Sequence, residues 1–200
     1  MPDPILRTAR LTVRPMTLAD ADDLASRRSD PETAHLQGWE VPYPLERAVA
    51  LIDDMIARGG PAPGGWSQFA CVRHQDGVIV GDVALHLDEQ GHNGEIGYTL
   101  HIWARGQGYA TEASTAVLNY AFTVWNLHRC AASIDPRNAA SRRVLEHLGF
   151  RHEGTMIESF WQGETVTDDA RFGLLRREWQ ARRAEARSRA DVLSASGQPH

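Results

Sequence analysis

A chain of 200 residues with 42% apolar and 8% aromatic content can bury one substantial core and hardly two, so a single domain is expected. Its net charge of −5 gives no field of the sign that gathers nucleic acid or an anionic membrane surface. No apolar run approaches the ~18 residues that span a bilayer, and the start, "MPDPILRTARL", lacks the apolar core of a signal peptide, so a cytoplasmic location is the expectation.

Residues 9–15, "ARLTVRP", alternate as a half-buried strand does, and "TLADADDLASRR" follows with Thr17 placed to cap a helix whose first turn is acidic. Asp30-Pro31 opens a short second helical piece. "PLERAVALIDDMIARGG" then spaces Leu45, Val49, Ile52 and Ile56 along one helix face before a double-glycine stop. "WSQFACVR" and "GVIVGDVALHL" read as strands joined by "HQDG", whose Asp-Gly signals a hairpin, and the turn "GHNGE" leads to a third run, "IGYTLHIW". The middle of the chain is therefore an antiparallel meander. After it, "GYATEASTAVLNYAFTVW" and "NAASRRVLEHLGF" read as helices around the strand "RCAASID", and a final strand pair closes a mixed sheet.

Cys71 and Cys130 fall inside apparent strands and read as small buried apolar residues. From residue 177 onward the chain turns polar and ends in Ser, Gly and Pro. The division expected is a domain over 1–176, then a charged helical extension and a disordered tail over 177–200. The run from Arg176 to Arg189, with Glu178 and Glu185 interspersed, reads as a solvated helix face.

The stretch "WARGQGYATEA", Trp103 to Ala113, places two glycines where a strand gives way to a helix. Such a turn leaves backbone N–H groups unpaired at the positive end of the helix dipole and suits an anion, though a tight turn packing helix on sheet is an equal reading. The dinucleotide fingerprint Gly-x-Gly-x-x-Gly fails at its third position, Thr111, and a Rossmann unit opens a parallel sheet instead of following antiparallel strands. All 21 basic residues are arginine, which excludes the lysine-dependent Walker A loop. His35, His86, His92 and His101 show no metal-ligand spacing, so no metal is expected.

The pattern Arg105-x-x-Gly108-x-Ala110 after "GEIGYTLHIW" resembles the acetyl-CoA motif of the GNAT superfamily of N-acetyltransferases. "NAASRRVLEHLGFRHEG" is similar to that family's second signature, and "GEIGYTL", "GYATEA" and "NAAS" are most similar to its RimJ/RimL branch. The resemblance spans residues 6–176. It implies an α/β (α+β) fold: a single mixed, mostly antiparallel seven-stranded sheet with a central splay, flanked by about four helices. It also implies an acyltransferase moving acetyl from acetyl-CoA to a primary amine.

In that family the amides of Gln107, Gly108, Tyr109 and Ala110 hold the pyrophosphate, with Gly106 in the turn, Arg105 assisting and Thr111 offering its hydroxyl. Gly108 matters because a β-carbon would stand between backbone and phosphate. A backbone N–H between Leu100 and Ile102 would polarise the thioester, and Asn138 would bind the pantetheine amides, cap the helix 139–148, or do both. Glu95 is the candidate base, or else a solvated carboxylate at a strand edge. Ser141 matches the family's thiolate partner and cofactor contact, or is a first-turn helix hydroxyl. A second carboxylate expected before the final hairpin falls equally on Glu158, Ser159 or Phe160. By analogy Trp39 and Tyr43 line the acceptor cleft, although packing also explains them.

The acceptor implied is the N-terminal α-amine of a protein, as in the ribosomal-protein enzymes of that branch, or a small-molecule amine. Neither membrane nor nucleic acid is an expected partner, and a homodimer stays open. The rival from another class is a GNAT-fold sensor that binds acyl-CoA without turnover.

Overall fold

The computed structural model describes residues 4–196. Strand β2 (Leu11–Pro15) alternates as its sequence requires, with Leu11, Val13 and Pro15 buried and Thr12 and Arg14 between them. Beyond it the N–H and hydroxyl of Thr17 donate to the Asp20 carboxylate, at 2.8 and 3.0 Å, starting a short 3-10 turn that runs into α1 (Ala21–Arg28). Asp30 caps the four-residue α2 (Pro31–Ala34) by accepting from the Thr33 N–H at 2.8 Å, and α3 (Leu45–Ala57) ends against the glycine pair.

The meander forms as read: β3 (Gly65–Arg73), β4 (Ile79–Leu87) and β5 (Asn93–Leu100), with Gly77 of the Asp-Gly turn in the left-handed region at φ +73°. Then follow α4 (Tyr109–Thr123), β6 (Arg129–Ile134), α5 (Ala139–Leu148), β7 (Arg151–Gln162), β8 (Thr165–Leu175) and α6 (Arg176–Ser196).

All strands join one sheet in the order β1-β2-β3-β4-β5-β6-β8-β7, where β1 is Leu6–Arg7. That corrects the expected seven strands and four helices: the described residues hold eight strands and six helices. The extra strand, β1, pairs Leu6 with Val13 and Arg7 with Thr12 through a turn that carries no Gly, Asn or Pro. Thr8 holds the turn, exchanging bonds with Leu11, and Glu112 of α4 holds it from outside, a tertiary cause that local sequence does not reveal. The helices beyond the count of four are the single turn α2 and the C-terminal α6, which stand where the short helical piece at Asp30-Pro31 and the helical extension were read. Trp179 seats α6 on the domain, 5% exposed, with its Nε1–H donating to Asn119 at 3.0 Å. Of the stretch 177–200 expected to hold a helical extension and then a disordered Ser, Gly and Pro tail, α6 takes in the residues to Ser196, and residues 197–200 lie outside the described residues.

Two apolar clusters sandwich the sheet. Val83, Leu85, Val117, Leu118 and Leu145 belong to the larger, under α4 and α5. Met16, Leu24, Ile52 and Met55 belong to the smaller, under α1 and α3. Both cysteines are free and fully buried, and burial pushes both thiols up, away from the thiolate form.

Between the two halves of the sheet the ladder is short. β5 and β6 run parallel and pair only Asn93 with Arg129, Gly94 with Cys130 and Glu95 with Ala131. Beyond that the strands part, β5 continuing to Leu100 and β6 to Ile134.

Candidate active site

The parting of β5 and β6 opens a cleft of about 510 Å³ that reaches both faces of the sheet. Strand alternation decides which residue meets which face. Trp66, His86 and Glu95 lie opposite one another across β3, β4 and β5, as do Gln68, Ala84 and Gly97, and these rows share the α1 and α3 face. Ile96, Tyr98 and Leu100 point to the other face, toward α4 and α5.

Glu95 is the last β5 residue paired with β6, so it stands at the mouth of the splay; it lines the cleft and has no hydrogen-bond or ion-pair partner among the described residues. Ser141 approaches the same gap from the opposite face. Its N–H donates to Asn138 Oδ1 at 3.0 Å and its carbonyl accepts from the Tyr98 hydroxyl at 3.0 Å, while its own hydroxyl has no partner among the described residues. Asn138 therefore caps α5 through its oxygen. Its amide nitrogen stays unengaged among the described residues and Asn138 lines the cleft. Burial among α5 and the sheet pushes the Tyr98 phenol up, against the smaller opposing effect of its bond to Ser141, so it remains protonated.

The His101 N–H donates to the Val80 carbonyl at 3.0 Å, which fixes the parity of β5: amides at odd positions face β4, and those of Tyr98 and Leu100 face the gap. Of the stretch Leu100 to Ile102, Leu100 thus offers the strand N–H turned into the splay. Ile102 already belongs to a 3-10 turn, Ile102–Ala104, that bends the chain toward α4.

The glycine-rich turn is exposed from Arg105 to Gly108, and both of its glycines are left-handed, φ +73° at Gly106 and +81° at Gly108. Amides from Gly106 through Gln107, Gly108, Tyr109 and Ala110 to Thr111 find no acceptor among the described residues. The first helical bond of α4 runs from Glu112 N–H to Gly108 carbonyl at 3.0 Å. A β-carbon built on Gly108 meets only Arg10, at 3.5 Å, so the surface above the turn is open to an anion. Two arginines stand near this turn and each is ion-paired, Arg105 with Glu32 and Arg10 with Glu112. Arg105 reaches to α2, donating to Glu32 at 2.9 Å and to the Thr33 hydroxyl at 2.6 Å. Arg10 instead lies over the Tyr109 ring at 4.5 Å and donates to the Gln107 carbonyl at 3.0 Å. Its place in a β1–β2 turn, distant in sequence, leaves no local signal.

On the α1 and α3 face, Trp39 lines the cleft and Tyr43 does not. Tyr43 is buried behind it, accepting a hydrogen bond from Arg28 at 3.0 Å. The β7–β8 hairpin roofs this side: Phe160 packs so closely on Gly38 that a β-carbon there would sit 2.6 Å from its ring. Among the three positions weighed for a second carboxylate, Phe160 lines the cleft and Glu158 and Ser159 do not. Strand β8 adds the carboxylates Asp168 and Asp169 to the cleft lining, the latter paired with Arg171 at 2.7 Å. Sequence reasoning also missed Arg28, Gln68 and Asp82, which line the cleft from α1, β3 and β4. For Gln68 and Asp82 the one sequence signal is strand alternation, which places them on a face and not at a site, and Arg28 at the end of helix α1 has none.

No helix among the described residues is long and apolar enough to cross a membrane. A model of the acetyltransferase (GNAT) domain matches residues 10–151. An uncharacterized N-acetyltransferase, p20, of Bacillus licheniformis is 30% identical over 178 residues, covering 87% of this chain and 97% of its own. The crystal structure of a GNAT-family acetyltransferase from Bacillus anthracis superposes with a TM-score of 0.77 at 25% identity, over 88% of this chain and 100% of that one. That of a ribosomal-protein-S5-alanine acetyltransferase from Vibrio fischeri shares the fold, with a TM-score of 0.71 at 23% identity over 88% and 99% of the two chains. A domain match across most of the sheet and a relative aligned nearly end to end agree with the splayed strands and the open amide turn: the chain belongs to the GNAT family and is an acetyl-CoA-dependent N-acetyltransferase.

Proposed function

We propose that the cleft moves acetyl from acetyl-CoA to a primary amine in one direct attack, with the two substrates entering from opposite faces of the sheet. The observation that carries this reading is the placement of Glu95 and Ser141, each with an unengaged side chain, on opposite sides of one gap in the ladder.

Acetyl-CoA supplies an activated acetyl thioester. Amides Gly106 to Thr111 hold its pyrophosphate, with Arg10 as the nearby cation, and the Asn138 amide nitrogen donates to the pantetheine arm. The Leu100 N–H polarises the carbonyl, a contribution of roughly 3 kcal/mol for such a donor. The amine nitrogen bonds to the carbonyl carbon as the carbon–sulfur bond breaks. Glu95 accepts the amine proton through water, and the Ser141 hydroxyl donates a hydrogen bond to the leaving thiolate, which takes its proton from solvent. An α-amine near pKa ~8 is partly neutral already, whereas a lysine side chain near ~10.4 is not, so a modest base suits the former. The fold shared with the ribosomal-protein enzyme supports a protein N-terminus as one acceptor of that kind, in line with a RimJ/RimL-like role.

Thiol release from acetyl-CoA, followed with a thiol reagent across peptide N-termini, polyamines, amino acids and aminoglycosides, tests the reading. Turnover with any of these supports it. Silence throughout, with calorimetry still showing CoA bound, replaces it with a non-catalytic acyl-CoA sensor.

A further inference from the structure

Two neighbouring arginines of α1 are buried beside the cleft and treated in opposite ways. Arg27, 2% exposed, is matched by two carboxylates: Asp82, at 2.8 Å, and Asp23, which in turn holds His101 at 2.8 Å. Arg28, 8% exposed and lining the cleft, is matched by none among the described residues. Its Nη1 donates to the Tyr43 hydroxyl at 3.0 Å, its Nη2 makes a long 3.4 Å bond to Gln68 Oε1, and its Nε–H has no partner. The Trp39 ring at 4.4 Å and the Tyr43 ring at 5.1 Å fix the plane of the guanidinium without neutralising it. A buried charge with only neutral neighbours is costly unless a counter-ion arrives.

Of the cleft's other ionised groups, Asp82 is held by Arg27, Asp135 by Arg137 and Asp169 by Arg171, while Asp168 accepts the neutral Glu158 N–H at 2.8 Å. Among the described residues no ion pair is made by Arg28, the one cation left over, or by Glu95, whose side chain has no hydrogen bond either. Both belong to the α1 and α3 face, because Gln68, which Arg28 touches, lies in the row adjacent to that of Glu95.

We infer that Arg28 is the specificity residue of the acceptor site and that the acceptor is a primary amine carrying a carboxylate. This rests on the amine-transfer reading above. The amine lies toward Glu95 and the splay, and the carboxylate displaces Gln68 from the Nε and Nη2 edge of the guanidinium, a buried edge on which Nε, like that of Arg27, has no acceptor and Nη2 only the long bond. One fork with a single positive charge matches a monoanionic carboxylate better than a phosphate dianion. The carboxylate belongs either to a free amino acid or short peptide, or to an acidic first residue of a polypeptide.

Matched pairs decide the matter: 4-aminobutyrate against butylamine, glycylglycine against its amide, and C-terminally amidated peptides beginning Asp or Glu against those beginning Asn or Gln. The carboxylate member of at least one pair should show roughly tenfold or greater kcat/KM, carried by KM. In Arg28→Gln that preference should collapse, with a far smaller loss for the neutral members and a thermal midpoint no lower than the parent's, since an unmatched charge is removed. Preference among the free acids identifies a small acceptor, and preference among the peptides a polypeptide. Equal rates within every pair, or equal losses for both members in Arg28→Gln, overturn the inference while leaving amine transfer intact. An independent arm uses butyrate, which has no amine. Arg28-dependent binding of butyrate, read by thermal shift, would sustain the anion subsite even if no amine turned over, an outcome that would sink the transfer reading instead.

Discussion

Gly108 has a φ of +81° and open space above it, so Gly108→Glu places a strained backbone, a bulky side chain and a negative charge at the proposed pyrophosphate site. Calorimetry should show CoA binding abolished in a variant whose circular dichroism is unchanged; retained affinity would end the assignment. Ser141→Ala removes a hydroxyl that the fold does not use, since the residue's structural bonds run through its backbone. Expected is a fall of about a hundredfold in kcat with little change in CoA Kd, and a change confined to Kd would make Ser141 a cofactor contact alone. Gly108, Asn138 and Ser141 were legible in the sequence because their roles are local: a turn angle, a cap and a first-turn position. Arg28, Arg10 and Tyr98 were not. Each acquires its meaning from a partner far along the chain, Arg28 from Gln68, Arg10 from Gln107 and Tyr98 from Ser141.

The same division holds among the elements. Thr17, Asp30-Pro31 and Asp76-Gly77 announced their helices and hairpin through backbone chemistry, and the structure builds each there. The β1–β2 pair had no such marker, because its turn is clasped from α4: Thr8 and Arg10 donate to Glu112 at 2.6, 2.7 and 2.8 Å. Burial raises the Glu112 carboxyl, but these bonds and the Arg10 charge outweigh it and hold it below the ordinary glutamate range. A depressed carboxyl adds stability above its unfolded pKa of about 4.3, and that contribution is lost as pH falls through the folded value. Glu112→Gln should therefore destabilise the protein by about 2 kcal/mol at pH 7 in denaturant titration, and the difference from the parent should shrink below about pH 4. A constant difference down to pH 3 would show that the charge on Glu112 contributes nothing.

For the whole molecule, element order indicates one mixed sheet, and the family resemblance adds a central splay. The strand register shows how narrow the join between the halves is. Only three residue pairs bridge β5 and β6, against seven between β4 and β5. What binds the halves together is therefore the layer beneath: the cluster under α4 and α5 gathers Leu11 and Val13 from one end, Val83 and Leu85 from the middle, and Cys130 and Phe172 from the other. Such a joint is strong in compression and compliant in shear. Beyond Glu95 no ladder bond sets the spacing of β5 and β6, so the width of the active gap is set by side-chain packing, and substitutions under α4 would retune it from a distance.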